Sequence, residues 1–525
     1  MTQTTIAERA GELILFGFEG TGERDIPQDL TGQTSGVILF RRNLEDAQQV
    51  RSLTDAIRAL GSRGDLAPLI AVDQEGGSVS RLAHIGTTTP SAMALGAIHD
   101  PSVTEAMYRL IGDELAALGM NLDLAPVADV NSNPANPVIG LRSFGDDPHA
   151  VSLFVRAAIR GLRGAGVAAT AKHFPGHGDT TIDSHFGLPA IPHDLAHLRS
   201  VELVPFRAAV REGVDAIMTA HAIFPAIEDA KPATLSRQLL AGVLREELRF
   251  EGLIVTDCME MEAISGHHSP EEAAVQAVAA GADLVLFSHT PDKARAAIEA
   301  LRDAVASGRI SEEEVGRSLD RSRRLRRRLA VSQAALGVVG SETHQAEALA
   351  AARQAVTLVR DPKGVLPLRL SKADRLLVIE FTGTAVSGVE EGDKQSRAVL
   401  APWLAASGAR IHEQIRSLDP AGHEYKQLLM AAGSAAAVIA LTSRASQHPL
   451  QARAVSDLAM LGKRIVAVVG REPYDAAVLP PELTVIASFG EDAHAMRAAA
   501  EVLLGTTPAA GKLPVAITPP QAAAR

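Results

Sequence analysis

Two segments of the chain gather side chains able to move protons and attack an electrophilic carbon. The first is Ala171-Lys-His-Phe-Pro-Gly-His-Gly-Asp-Thr-Thr-Ile-Asp-Ser-His185, with one lysine, three histidines and two aspartates. Its glycines and proline predict a loop, and loops mounted on a rigid scaffold are where function concentrates. Asp183 and His185 stand two residues apart in it. In an extended loop such side chains point the same way, so the carboxylate can accept from one ring nitrogen and orient the imidazole. A histidine held in this manner can protonate a leaving group and later take a proton from water near neutral pH. Two other readings stay open. His173, His177, Asp179, Asp183 and His185 are zinc-ligand types, although their spacing is loose and Lys172 would repel a cation. The histidines could also simply satisfy a Gly/Pro-rich turn.

The second segment is Gly252-Leu-Ile-Val-Thr-Asp257, an apolar run that ends in a carboxylate. An ionised aspartate there suits nucleophilic attack on an acetal carbon; capping the next helix is the plainer role. Glu260 and Glu262 are rivals, but they fall where acids stabilise a helix N-terminus.

Groups so far apart in sequence need a scaffold that brings them together. The first 300 or so residues alternate short apolar runs with amphipathic stretches, the pattern of βα units. Eight candidate strands are Leu13–Phe18, Gly36–Phe40, Leu69–Asp73, Asn121–Val127, Val167–Phe174, Asp215–His221, Leu253–Asp257 and Leu284–Ser288. Helical patterns lie between them at Leu44–Leu60, Ser102–Leu118, His149–Ala165 and Pro270–Ala280. Eight repeats predict a (β/α)8 barrel whose active site lies at the strand C-termini. Asp73, Lys172, His173, His221 and Asp257 all fall at or near those ends.

A helical stretch from Ser311 to about Leu336 leads to Gly337-Val-Val-Gly-Ser341, a plausible boundary. This divides the chain into a barrel over residues 1–335 and a smaller α/β sandwich over 336–525. The latter has apolar runs at Ala355–Val359, Leu376–Phe381, Ala436–Leu441, Ile465–Val469 and Leu483–Ser488 and a mostly parallel sheet of five or six strands. Gly383, Gly388 and Gly392 lack the strand–GxGxxG–helix setting of a nucleotide site.

Composition narrows the partners. With 46% hydrophobic and 22% charged residues the chain reads as soluble and globular, and a net charge of −11 disfavours nucleic acid or an anionic membrane. The basic run Arg317–Arg328 has leucines at helical spacing and reads as a solvated helix face. The single cysteine, Cys258, excludes an internal disulfide, and neither a secretory signal nor a membrane span is apparent, so the cytoplasm is expected. Aromatics are 3% of the chain, which favours a short substrate over a polysaccharide. No segment asks for a metal or organic cofactor. A monomer and a homodimer are both compatible.

The segments Ala71-Val-Asp-Gln-Glu-Gly-Gly-Ser-Val-Ser-Arg81, Ile139-Gly-Leu-Arg-Ser-Phe-Gly145, Lys172–His185 and Ile254-Val-Thr-Asp257 resemble family 3 of the glycoside hydrolases. More narrowly they are similar to its bacterial β-N-acetylhexosaminidase branch, associated with cell-wall recycling. The resemblance covers most of residues 10–330, and Gly505–Pro514 resembles the C-terminal signature of two-domain members. It implies a retaining β-N-acetylglucosaminidase with Asp257 as nucleophile, His185 as acid/base and Asp183 as its partner. Asp73, Arg81, Arg142, Lys172 and His173 match substrate-binding positions. Leu141 departs from the small or polar residue usual before that arginine. Alternatives are a β-N-acetylglucosaminide phosphorylase, since an imidazole does not repel phosphate, a β-glucosidase or β-xylosidase, and a non-catalytic sugar-binding barrel.

Overall fold

The computed structural model describes residues 5–329, 334–383 and 399–517. Eight parallel strands close into a barrel: β1 (Ile14–Phe16), β2 (Gly36–Leu39), β3 (Leu69–Val72), β4 (Leu122–Asp123), β5 (Ala168–Phe174), β6 (Ala216–Thr219), β7 (Leu253–Cys258) and β8 (Leu284–Phe287). Each pairs with its neighbour in sequence, and β8 returns to β1. All eight expected strands are present. The fourth departs most, because Pro126 has no N–H to offer the ladder; beyond Asp123 only a single bridge, Val127 to Lys172, continues it.

The helices around the barrel include α1 (Ala47–Gly61), α2 (Pro101–Ala117), α3 (Pro148–Gly164), α4 (Leu195–Ser200), α5 (Leu203–Glu212), α6 (Pro270–Ala280), α7 (Pro291–Ala306) and α8 (Glu312–Arg328). Their starts are written locally. Asp46, Asp147, Ser269 and Ser311 cap α1, α3, α6 and α8 by accepting backbone N–H bonds, and proline opens α2, α3, α6 and α7.

The barrel interior is packed with Leu15, Ile38, Ala71, Leu122, Met218, Val255 and Leu286 among others. Helix α8 seals its N-terminal end, where Leu325 and Leu329 join that interior cluster. Its arginines are not simply a solvated face, as the sequence suggests. Arg321 pairs with Asp283 at 3.0 Å, Arg328 with Asp215, and fully buried Arg326 donates to the Ala67 carbonyl at 2.7 Å. Asp215 and Asp283 stand just before β6 and β8, so the helix closes the barrel floor through charge as well as packing. The expected helix is also shorter, ending at Arg328; residues 330–333 lie outside the described ones.

The second sheet has six strands: β9 (Thr357–Arg360), β10 (Arg375–Thr382), β11 (Arg410–Ser417), β12 (Ala437–Thr442), β13 (Arg464–Val469) and β14 (Thr484–Ala487). Their order is β9–β14–β13–β12–β10–β11, with β9 antiparallel and the rest parallel. Strand β11 is absent from the apolar runs because this edge strand, RIHEQIRS, buries none of its residues fully. Gly388 and Gly392 lie outside the described residues. Among the described residues no helix is long and apolar enough to cross a membrane.

The two parts meet over a buried apolar seam in which Met93, Ala94 and Leu141 touch Tyr474, Phe489 and Val515. Leu141 is therefore a packing residue here, 3% exposed, which accounts for an apolar side chain at this place. Ser91 Oγ donates to the Phe489 carbonyl at 2.6 Å, and Asn131 Nδ2 to Tyr474 Oη at 2.7 Å, across the same seam.

Candidate active site

A cavity of about 160 Å³ opens at the C-terminal mouth of the barrel. Asp73, Arg81, Arg142, Lys172, His173, His185 and Asp257 all line it. Asp183 stands behind His185. Residues separated by up to 184 positions thus share one pocket, as parallel strands of a barrel end on the same face.

One side is an ion network. Lys172 Nζ lies 2.7 Å from Asp73 Oδ1 and 2.6 Å from Glu75 Oε1. Arg142 grips Glu75 through two parallel bonds, Nε to Oε2 at 2.8 Å and a terminal nitrogen to Oε1 at 2.9 Å. Arg81 approaches Asp73 at 4.0 Å. Burial would raise the Glu75 carboxyl, but Arg142 and Lys172 outweigh it and hold the group far below the usual range. Burial likewise opposes the Lys172 charge, and Asp73 and Glu75 reverse this, raising its pKa. Glu75 is a residue that spacing alone does not single out. Its signal is its position two after Asp73, on the first strand of a tight hairpin formed by Gln74–Gly76 and Val79–Ser80.

His173 does not act as a free base. Its Nδ1 bonds Asp129 Oδ2 at 2.7 Å, while Arg142 donates toward its Nε2 at 3.3 Å. Asp129 also accepts from the His177 backbone N–H at 2.7 Å, so one buried carboxylate clamps the end of β5 and the start of the following loop. Asp129 is a further residue that the sequence reading passes over. It follows the short β4 in a run, Leu-Asp-Leu-Ala-Pro-Val-Ala-Asp129, whose apolar character hides it.

In that loop His185 Nδ1 donates to Asp183 Oδ1 at 2.8 Å, and the His185 backbone N–H bonds the same oxygen at 2.9 Å. Nε2 is the ring nitrogen left for proton transfer. His177 supports the dyad from behind: its Nε2 is 3.1 Å from Ser184 Oγ and its Nδ1 2.9 Å from Thr180 Oγ1. Burial presses the His177 pKa down to about 4, so it is a neutral brace. The five residues weighed as a zinc set do not converge. His173 turns to Asp129, His177 to Ser184, Asp179 to His193, and His185 to Asp183.

Opposite stands Asp257. Its Oδ1 accepts from the Cys258 N–H at 2.7 Å, and the residue lines the pocket. Burial alone would raise its pKa; His221, His173, His185 and the Cys258 N–H together lower it below the ordinary aspartate value. The carboxylate is thus held in its ionised form. Buried His221 braces this strand end, with Nε2 2.9 Å from the Cys258 carbonyl and Nδ1 2.7 Å from Thr234 Oγ1. Glu260 accepts from the His289 and Thr290 N–H groups, which ties the loop after β8 rather than facing the pocket.

The arrangement supplies a carboxylate, a carboxylate-backed imidazole and a set of fixed charges around one small ring-sized space. That suits a two-step displacement at an acetal carbon. Phe40 is the single Phe, Tyr or Trp of its lining among the described residues, and Arg42 and Arg81 lie over its ring. Such a pocket offers no extended stacking platform.

The chain is similar to known proteins over most of its length. The model of the glycosyl hydrolase family 3 N terminal domain matches residues 5–325. The chain is 32% identical to beta-hexosaminidase A of Pseudoalteromonas piscicida, over 92% of this chain and 89% of that protein. It is 39% identical to a beta-hexosaminidase of Alkalilimnicola ehrlichii, over 55% of this chain and 84% of that one. Among solved structures, a glycoside hydrolase family 3 beta-N-acetylglucosaminidase from Paenibacillus sp. str. FPU-7 superposes with a TM-score of 0.90 at 38% identity, covering 99% of both chains.

Proposed function

The chain belongs to glycosyl hydrolase family 3, and from that membership we propose that it is a retaining exo-β-N-acetylglucosaminidase with Asp257, His185 and Asp183 as its catalytic residues. The observation that carries the roles is the His185–Asp183 bond of 2.8 Å on the wall of the cavity that also holds Asp257. His185 Nε2 protonates the glycosidic oxygen as Asp257 Oδ2 attacks C1, and the C1–O bond breaks to leave a glycosyl-aspartate. Water then attacks C1, giving its proton to His185, and Asp257 departs. Asp73, Arg81, Arg142, Lys172 and His173 bind the sugar, the network of Lys172, Asp73 and Glu75 fixing donors and acceptors before substrate arrives. Short glycosides such as muropeptides or chitooligosaccharides fit the pocket's size. The chain works in the cytoplasm, as monomer or homodimer, with its domain division near residue 335; the lone cysteine and the seam beyond α8 support this reading.

The test is product analysis on GlcNAc–anhydroMurNAc and chitobiose with and without phosphate. Free GlcNAc at a rate indifferent to phosphate is expected; a sugar 1-phosphate product would overturn hydrolysis in favour of phosphorolysis. With an aryl β-N-acetylglucosaminide, Asp257→Ala should fall to background and His185→Ala should lose about 10²–10⁴-fold in kcat. Unchanged turnover in Asp257→Ala sinks the nucleophile assignment.

A further inference from the structure

Just beyond the catalytic loop lies a second cluster of donor groups that the mechanism leaves unused. His193 and His197 flank the start of α4, and Glu202 precedes α5. One ligand atom from each of the three lies within 4.8 Å of the others. The two imidazoles stack with centroids 3.7 Å apart. Glu202 is 2% exposed, and neither of its oxygens has a hydrogen-bond partner among the described residues; His197 Nε2 lies 3.5 Å from Oε1. A buried carboxylate without hydrogen bonds is costly to keep unless something compensates its charge.

We propose that His193, His197 and Glu202 form a binding site for a divalent transition-metal ion, with zinc as the preferred occupant. Two imidazoles and one carboxylate are zinc-type donors and a poor set for magnesium or calcium, which take oxygen ligands. Asp179 bonds His193 Nε2 at 2.7 Å, the carboxylate-behind-histidine arrangement that orients metal-bound imidazoles. The ion pins the catalytic loop to α4. Asp179 belongs to that loop, four residues before Asp183, and Glu202 lies against Gly176, where an added Cβ would come within 2.5 Å of the Glu202 Cγ. This site is separate from the catalytic pair and departs from the expectation that the chain needs no metal.

The full chain, stripped with EDTA, is titrated with zinc chloride by calorimetry, and cobalt(II) is added separately to read its visible d–d bands. One equivalent of zinc and a tetrahedral cobalt spectrum are expected. His197→Ala, at a partly exposed position, and Glu202→Gln should each lose that equivalent, whereas Asp179→Asn should weaken it by about 10- to 100-fold. His185→Ala should keep it. Circular dichroism in EDTA checks that each variant is folded; if Glu202→Gln is not, His197→Ala decides. Absence of stoichiometric binding, or binding that survives in His197→Ala and vanishes in His185→Ala, overturns the site.

Discussion

Glu75 shows how much a single side chain holds in this pocket. It faces Arg142 and Lys172 with 4% of its own surface exposed, so removing its charge strands buried Arg142 and leaves Lys172 with Asp73 alone. Glu75→Gln should destabilise the protein by about 3–5 kcal/mol at pH 7, read by urea unfolding. The pH dependence has a definite sign. The folded-state pKa of Glu75 lies below its ordinary 4.5, so its contribution is complete above that value and is lost as pH falls toward the folded value. The gap between parent and variant should therefore be widest above pH 4.5 and close on acidification. A gap independent of pH would mean that the effect is packing and not charge. Asp257 carries the same sign, which keeps the proposed nucleophile charged at acid pH values where an ordinary aspartate begins to protonate.

At the scale of elements, the loop that carries the proposed dyad is held by contacts that leave no room for a side chain. A Cβ on Gly178 would come 1.6 Å from the Val130 carbonyl oxygen, in the segment that carries Asp129. That atom is backbone, so the loop itself must move. Gly178→Ala should lower stability by about 1–3 kcal/mol and depress kcat more than this predicts, because Asp183 and His185 lie on the displaced segment. Thermal unfolding with steady-state kinetics measures both; parental kcat would show that the loop's path is not what sets the dyad. Strand β5 supplies the other half of this control, since its last residues are Lys172, His173 and Phe174. A strand that ends in the pocket fixes side chains by backbone pairing on both sides, which a loop cannot do.

The whole molecule adds one more layer, because the second sheet reaches the Arg142 segment. Glu472 accepts from the Leu141 N–H at 3.3 Å and is 3.4 Å from Arg444. Burial opposes its charge, but Arg444 and Arg471 hold its pKa to about 2. Gly140, at φ +41, gives it space: a Cβ there would lie 2.2 Å from Glu472 Oε1. Glu472→Ala should cost about 3–5 kcal/mol at the seam and raise KM more than it lowers kcat, since it acts through Arg142, a proposed sugar-binding residue. Unchanged KM together with a lowered unfolding temperature would confine Glu472 to holding the seam.

The barrel and most of the pocket are legible in the order of residues along the chain. Apolar runs of strand length mark buried parallel strands, and several of them end in polar residues that meet the mouth, so Asp73, Lys172, His173 and Asp257 are legible from order alone. The Asp183–His185 bond followed from a spacing of two. What sequence could not supply is the partner of each buried charge. Glu75 and Asp129 look like ordinary acids until the fold sets them against Arg142, Lys172 and His173, and edge strand β11 has no apolar face to betray it. Arg326 resembles its solvated neighbours until α8 turns it under the barrel floor. Local pattern reports which face of an element is buried; only tertiary structure decides what lies opposite, because that contact joins residues with no relation in sequence.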